Sequence, residues 1–102
     1  MAKTPEGKVK DKVVSVLKDE DVYYFFPATH GYGRSGVPDI VCCVGGMFVG
    51  IECKAGDNEP TALQHRELRL IAESGGTALW VNEVTVNDLK NKLNGETHAN
   101  AC

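Results

Sequence analysis

Asp39, Glu52 and Lys54 are the residues of this sequence whose types and spacing point to chemistry. They sit near the outer ends of two strand-like runs, Val37 to Val44 and Met47 to Lys54, which Gly45 and Gly46 separate. A Gly-Gly pair between such runs predicts a two-residue hairpin loop, because both loop positions take a positive φ. With Val44 opposite Met47, counting back pairs Cys43 with Phe48, Val41 with Gly50 and Asp39 with Glu52. Directly opposed residues share a face of the sheet with Cβ atoms about 4.5 to 5.5 Å apart, so two carboxylates stand side by side. Strand alternation brings Lys54 to the same face and sends Met47, Val49, Ile51 and Cys53 to the other.

Opposed like charges destabilise a sheet unless something compensates them, and the candidates are a divalent cation and Lys54. Mg²⁺ prefers oxygen ligands and takes one or two carboxylates, leaving its other positions to water or phosphate. Asp39 and Glu52 meet that need, and the backbone carbonyl of Cys53 offers a third protein oxygen. Such an ion lowers the pKa of water and stabilises charge on a phosphate under in-line attack. Lys54 is placed to orient the water or to stabilise the developing charge. The bland reading of the same residues is a cross-strand charge cluster at an exposed hairpin end, and a β-bulge would shift the register and part the carboxylates.

The elements that must hold these residues can be read around them. Pro5 and Glu6 suit a first helical turn, and Val9, Val13, Val16 and Leu17 recur at helical spacing up to Asp19, Glu20 and Asp21. Lys8, Lys10, Lys12 and Lys18 fall on the other face, which reads as solvated rather than as a DNA contact. Val22 to Phe26 reads as a short, buried strand closed by Pro27. Ala28 to Val37 is a glycine-rich loop able to approach a ligand closely. A second helix is expected from Thr61 to Ser74, stopped by Gly75 and Gly76, followed by a strand from Thr77 to Val81 with Trp80 in the core. Thr85 is expected to cap a last short helix carrying Val86, Leu89 and Leu93 and ending at Gly95. One domain over 1–95 and a polar, frayed tail over 96–102 follow, with a mixed sheet flanked by helices.

Composition narrows the partners. At 102 residues there is room for one core only, and a thin one, so oligomerisation would help. Without an 18-residue apolar run or a signal-like N-terminus, a cytoplasmic protein without membrane contact is expected. The formal net charge of -3 counts against a generic nucleic-acid binder, although carboxylates that hold cations understate the local positive potential. Cys42, Cys43, Cys53 and Cys102 lack zinc-site spacing and read as reduced, mostly buried thiols; a zinc or redox protein is the rival on that side.

Pro38-Asp39 followed by Glu52-Cys53-Lys54 resembles the signature of the PD-(D/E)XK nuclease superfamily. Ser35-Gly36-Val37-Pro38-Asp39-Ile40, Ile51-Glu52-Cys53-Lys54-Ala55-Gly56, Thr61 to Gln64 and the Gly75-Gly76 close together resemble the VRR-NUC domain within it. The short motif is weakly specific, but four segments in order over about residues 5 to 82 are a much stronger signal. The resemblance implies a restriction endonuclease-like αβββαβ core, Mg²⁺ or Mn²⁺ as cofactor and phosphodiester hydrolysis in DNA. It implies Asp39 and Glu52 as metal ligands, Lys54 as the catalytic lysine and Gln64 as an accessory active-site residue. Thr61-Ala62-Leu63-Gln64 is equally a capping box, so both roles stand for Gln64. Glu6 matches the place of a further acidic residue, or is a carboxylate favoured by the helix dipole. Tyr32, Arg34 and Ser35 are candidates for phosphate contact or base stacking, whereas His30 and His65 read as ordinary polar residues. Stand-alone members resemble Holliday junction resolvases, which implies a homodimer acting on branched DNA in a bacterial or phage-infected cell. The alternatives are a restriction-like or repair nuclease on duplex or flap DNA, and a DNA-binding module of this fold that does not cut.

Overall fold

The computed structural model describes residues 3–28 and 33–101, the last six of these by their backbone alone. Helix α1 (Pro5–Asp19) begins where the Thr4 hydroxyl accepts from the Gly7 N–H and Pro5 fills the first helical position. It ends where Asp21 takes a positive φ of 55°, so that Val22 N–H reaches back to the Leu17 carbonyl. Strands β1 (Tyr23–Phe25), β2 (Ile40–Val44) and β3 (Met47–Cys53) follow, then α2 (Ala62–Glu73), β4 (Thr77–Val81), a 3₁₀ turn (Thr85–Asp88) and α3 (Leu89–Ala101).

The sheet order is β1-β2-β3-β4, with β3 and β4 parallel and the other pairs antiparallel. The hairpin has the expected register, Val44 opposite Met47 and Ile40 opposite Ile51, turned by Gly45 and Gly46 at φ 57° and 86°. Ile40, Cys42, Val44, Val49, Ile51 and Cys53 alternate to one face and form the core with Val9, Val13 and Leu17 of α1 and Val86, Leu89 and Leu93. The crossover helix α2 covers the opposite face. There Gly50 leaves the space into which Ile71 and Pro38 pack, since a Cβ at that position would lie 2.7 and 2.9 Å from them. The helix closes as expected: Gly75, at φ 100°, and Gly76 return their N–H groups to the carbonyls of Ala72 and Ile71.

Several expectations need correction. β1 is an edge strand whose Tyr23 and Phe25 are exposed, because among the described residues no strand pairs with its outer side. Trp80 is 42% exposed rather than core: it lies on the α2 side of the other edge strand, where its ring meets His65 edge-on at 5.8 Å. Asn82, not Thr85, provides the acceptor for the last helical segment, taking the N–H groups of Val84 and Thr85. That segment continues through Gly95 to Ala101, since one glycine costs a helix only about 1 kcal/mol. Cys42 and Cys53 are buried thiols, but Cys43 is exposed; Cys102 lies outside the described residues.

Gly36 fixes the path into Pro38-Asp39. It has φ 78°, and a Cβ there would sit 2.7 Å from the backbone of Leu63 and 2.9 Å from the Gln64 nitrogen. The loop thus lies directly on the first turn of α2. Gly36→Ala is expected to cost roughly 1–3 kcal/mol from the left-handed backbone alone, with the clash in addition. Urea unfolding measures it, and an unchanged midpoint would show that the loop does not need this contact.

Candidate active site

β2 stops at Ile40, short of the end of the facing strand, which runs two residues beyond Ile51 to Cys53. The hairpin ladder therefore leaves the Cys53 N–H without a partner on β2, and the Asp39 carboxylate takes it, Oδ2 accepting at 2.9 Å. Asp39 thus lies at the end of the hairpin ladder beside Cys53, one step beyond the last pair, Ile40 and Ile51. Glu52 itself is 1% exposed, and neither of its carboxylate oxygens has a hydrogen-bond partner among the described residues. Lys54 Nζ stands 3.7 Å from Glu52 Oε2, near enough for attraction but too far for a hydrogen bond. Lys54 is itself mostly buried and lies 3.9 Å from Glu6 Oε1, while Lys10 Nζ lies 3.9 Å from Asp39 Oδ1. Glu6 and Lys10 are one helical turn apart, so one face of α1 lays an acid and a base over the end of the hairpin.

Burial, followed by the charge of Asp39, pushes the Glu52 carboxyl up to about 7, while Lys54 pulls it down. A buried carboxylate without hydrogen bonds, beside a second carboxylate, is costly unless a cation meets it. The oxygens present suit a hard divalent ion. Among the described residues no three or more His, Cys, Asp or Glu side chains gather into a ligand cage. A pair of carboxylates with open positions left over matches the habit of Mg²⁺, not that of zinc. Burial holds the Cys42 thiol at about 11 and that of Cys53 at about 12, so neither supplies a ready thiolate.

A solved structure described as a VRR_NUC domain protein superposes on this chain with a TM-score of 0.69. The overlap covers 93% of this chain and 89% of that one, at 17% sequence identity. The chain has the VRR_NUC fold. No family model matches the sequence, and no curated protein sequence matches it significantly. The mixed four-stranded sheet with flanking helices is the restriction endonuclease-like arrangement that this fold implies.

Within the VRR_NUC fold the remaining sequence candidates fall in different places. Gln64 forms the capping box: its Oε1 accepts from Thr61 N–H at 2.8 Å, and its own N–H donates to the Thr61 hydroxyl. The cap occupies the carbonyl oxygen and leaves the amide NH₂ for a ligand. Gln64→Glu keeps an acceptor for Thr61 and removes that NH₂. An unchanged Tm with reduced cleavage is expected if the amide serves the site, and unchanged cleavage would assign Gln64 to the cap alone. Glu6 meets Lys54 rather than the carboxylate pair. Ser35 lies in the turn leading to Pro38-Asp39, and Arg34 is engaged by Glu67 of α2. Tyr32 and His30 lie outside the described residues.

Sequence reasoning misses Lys10, which it groups with the solvated lysines of α1, and Glu67, which it does not single out. The i,i+4 relation of Glu6 to Lys10 is the available signal for the first. The second depends on a contact across 33 residues that no local pattern announces.

Proposed function

We propose that this protein is a metal-dependent DNA endonuclease whose centre is Asp39, Glu52 and Lys54. The observation that carries the reading is the buried carboxylate of Glu52, which has no hydrogen-bond partner among the described residues and is set beside Asp39 and Lys54. Asp39 and Glu52 would hold Mg²⁺ or Mn²⁺. The Cys53 carbonyl would be the third donor, since in an extended strand it points to the same side as the Cys53 N–H that Asp39 accepts. The bound ion supplies Lewis-acid stabilisation at the phosphate and lowers the pKa of an attacking water. Lys54 Nζ orients that water or stabilises charge on the phosphoryl oxygens. Glu6 holds Lys54 from α1, Lys10 offsets part of the charge of Asp39, and the Gln64 amide reaches the substrate from the start of α2.

The preferred substrate is branched DNA such as a four-way junction, cut by a homodimer in the cytoplasm. Support for the dimer comes from the edge strand β1. Its exposed Tyr23 and Phe25, together with Phe26 and Phe48, leave aromatic surface that a second copy would cover. Among the described residues no helix is long and apolar enough to cross a membrane.

The test is a panel of labelled duplex, flap, single-stranded and four-way-junction DNA with Mg²⁺, Mn²⁺ or chelator. Metal-dependent cleavage that is strongest on the junction, and absent in a folded Asp39→Ala variant, is expected. Cleavage that survives chelator or Asp39→Ala removes the proposed centre. A strict monomer in sedimentation that cuts only linear duplex removes the junction and dimer parts.

A further inference from the structure

Glu67 is the other buried acid among the described residues, 4% exposed on α2, and the carboxylate centre does not use it. Arg34 donates to it twice, from Nε at 2.7 Å and from Nη2 at 3.0 Å, and Arg66 Nη2 adds a third contact at 3.4 Å. The hydrogen bonds from Arg34 hold the Glu67 carboxyl below the usual carboxylate range, so it stays ionised at neutral pH. The acid is covered while its partners are open to solvent, with 60% of the Arg34 side chain and 43% of the Arg66 side chain exposed. A guanidinium carries five N–H donors, so both arginines retain donors that Glu67 does not use. Arg66 Nε is moreover buried without a partner among the described residues, so the protein alone does not satisfy this guanidinium. Beside the pair lies a pocket of about 460 Å³ lined by Gly33, Arg34, Ser35, Leu63, Arg66 and Leu70.

We propose that Arg34 and Arg66, oriented by Glu67, form a subsite for a backbone phosphate of DNA flanking the one that is cut. The subsite rests on the nuclease reading above. Two guanidiniums and one carboxylate leave a net positive charge at the mouth of a pocket, on a chain whose overall charge is -3. Guanidiniums pair with phosphate in a fixed, bidentate geometry, and a side chain already held by a buried acid loses less freedom on binding. The apolar walls of Leu63 and Leu70 suit the sugar beside the phosphate. Arg34 precedes Asp39 by five residues, so at most about 18 Å of chain separates the subsite from the carboxylates, within about five nucleotides at about 3.4 Å of rise along one strand. Gly36, seated on Leu63 and Gln64 between the two, fixes the pocket relative to the carboxylates.

The experiment measures binding, not cleavage, by fluorescence anisotropy of labelled duplex and junction DNA in a Lys54→Ala background from about 50 to about 200 mM salt. Arg66→Gln is the deciding variant, because Arg34→Gln strips the buried Glu67 of its main partner and risks the fold. Arg66→Gln is expected to raise Kd roughly three- to tenfold and to lower the slope of log K against log salt by about 1. If the Lys54→Ala protein binds DNA but Arg66→Gln leaves both quantities unchanged, the arginines only pin the loop to α2 and the subsite is wrong while the nuclease reading stands. If neither the Lys54→Ala protein nor the parent protein in chelator binds DNA at any of these salt concentrations, the nuclease reading fails and takes the subsite with it.

Discussion

Glu52→Gln is expected to abolish cleavage while making the metal-free protein more stable at pH 8. The carboxyl of Glu52 titrates at about 7 in the fold and at 4.5 in the unfolded reference, because burial and Asp39 oppose its charge. The folded state therefore holds its proton more tightly than the unfolded state. Its contribution to stability is full below pH 4.5 and is lost as the pH rises towards 7. The amide introduced by Glu52→Gln carries no such charge, so that decline should vanish from a plot of Tm against pH in chelator. The same substitution removes a proposed metal ligand. Loss of several kcal/mol of charge stabilisation, at about 1.36 kcal/mol per tenfold, lowers cleavage by about 10³-fold or more. A variant that loses activity and stability together would instead identify Glu52 as a structural group.

Lys54→Ala should also disable the proposed nuclease, but with a different pH signature. Removing the group that acts on the water or the phosphate is expected to lower cleavage by about 10²- to 10⁴-fold. Lys54 also pulls the Glu52 carboxyl down, so without it Glu52 holds its proton to higher pH. Mn²⁺ binding should then need a higher pH than in the parent, and recover as the pH is raised, while cleavage does not recover. Cleavage within a few-fold of the parent would remove Lys54 from the centre. An unmoved midpoint for metal binding would show that Lys54 and Glu52 do not feel each other.

The parts of the site legible in the sequence are those fixed by local rules. Gly45 and Gly46 set a turn, the turn sets a register that runs from Val44 and Met47 to Ile40 and Ile51, and just beyond it Asp39 accepts from the Cys53 N–H. Thr4, Pro5, Thr61, Gly75 and Gly76 likewise mark helix ends through hydrogen bonds made within a few residues. The misreadings concern which surfaces meet. Val22 to Phe26 looks like a buried strand because its residue types favour burial, yet its place at the edge of the sheet depends on which strand pairs with it. Trp80 is exposed for the same reason. Lys10 and Glu67 escape notice because a charged residue on a helix reads as solvated until tertiary packing brings Asp39 or Arg34 to it. The capping box of Gln64 shows the opposite case, a local pattern that the fold retains beside the site.

The most direct test is calorimetric titration of Mn²⁺ into the metal-free protein at pH 7, in two buffers of different ionisation heat. With Glu52 titrating at about 7, binding should release about half a proton, and Glu52→Gln should show neither that release nor the parent's affinity. Mn²⁺ binding that releases no proton, or that persists at full strength in Glu52→Gln, would contradict the assignment of the Asp39 and Glu52 pair as the metal centre.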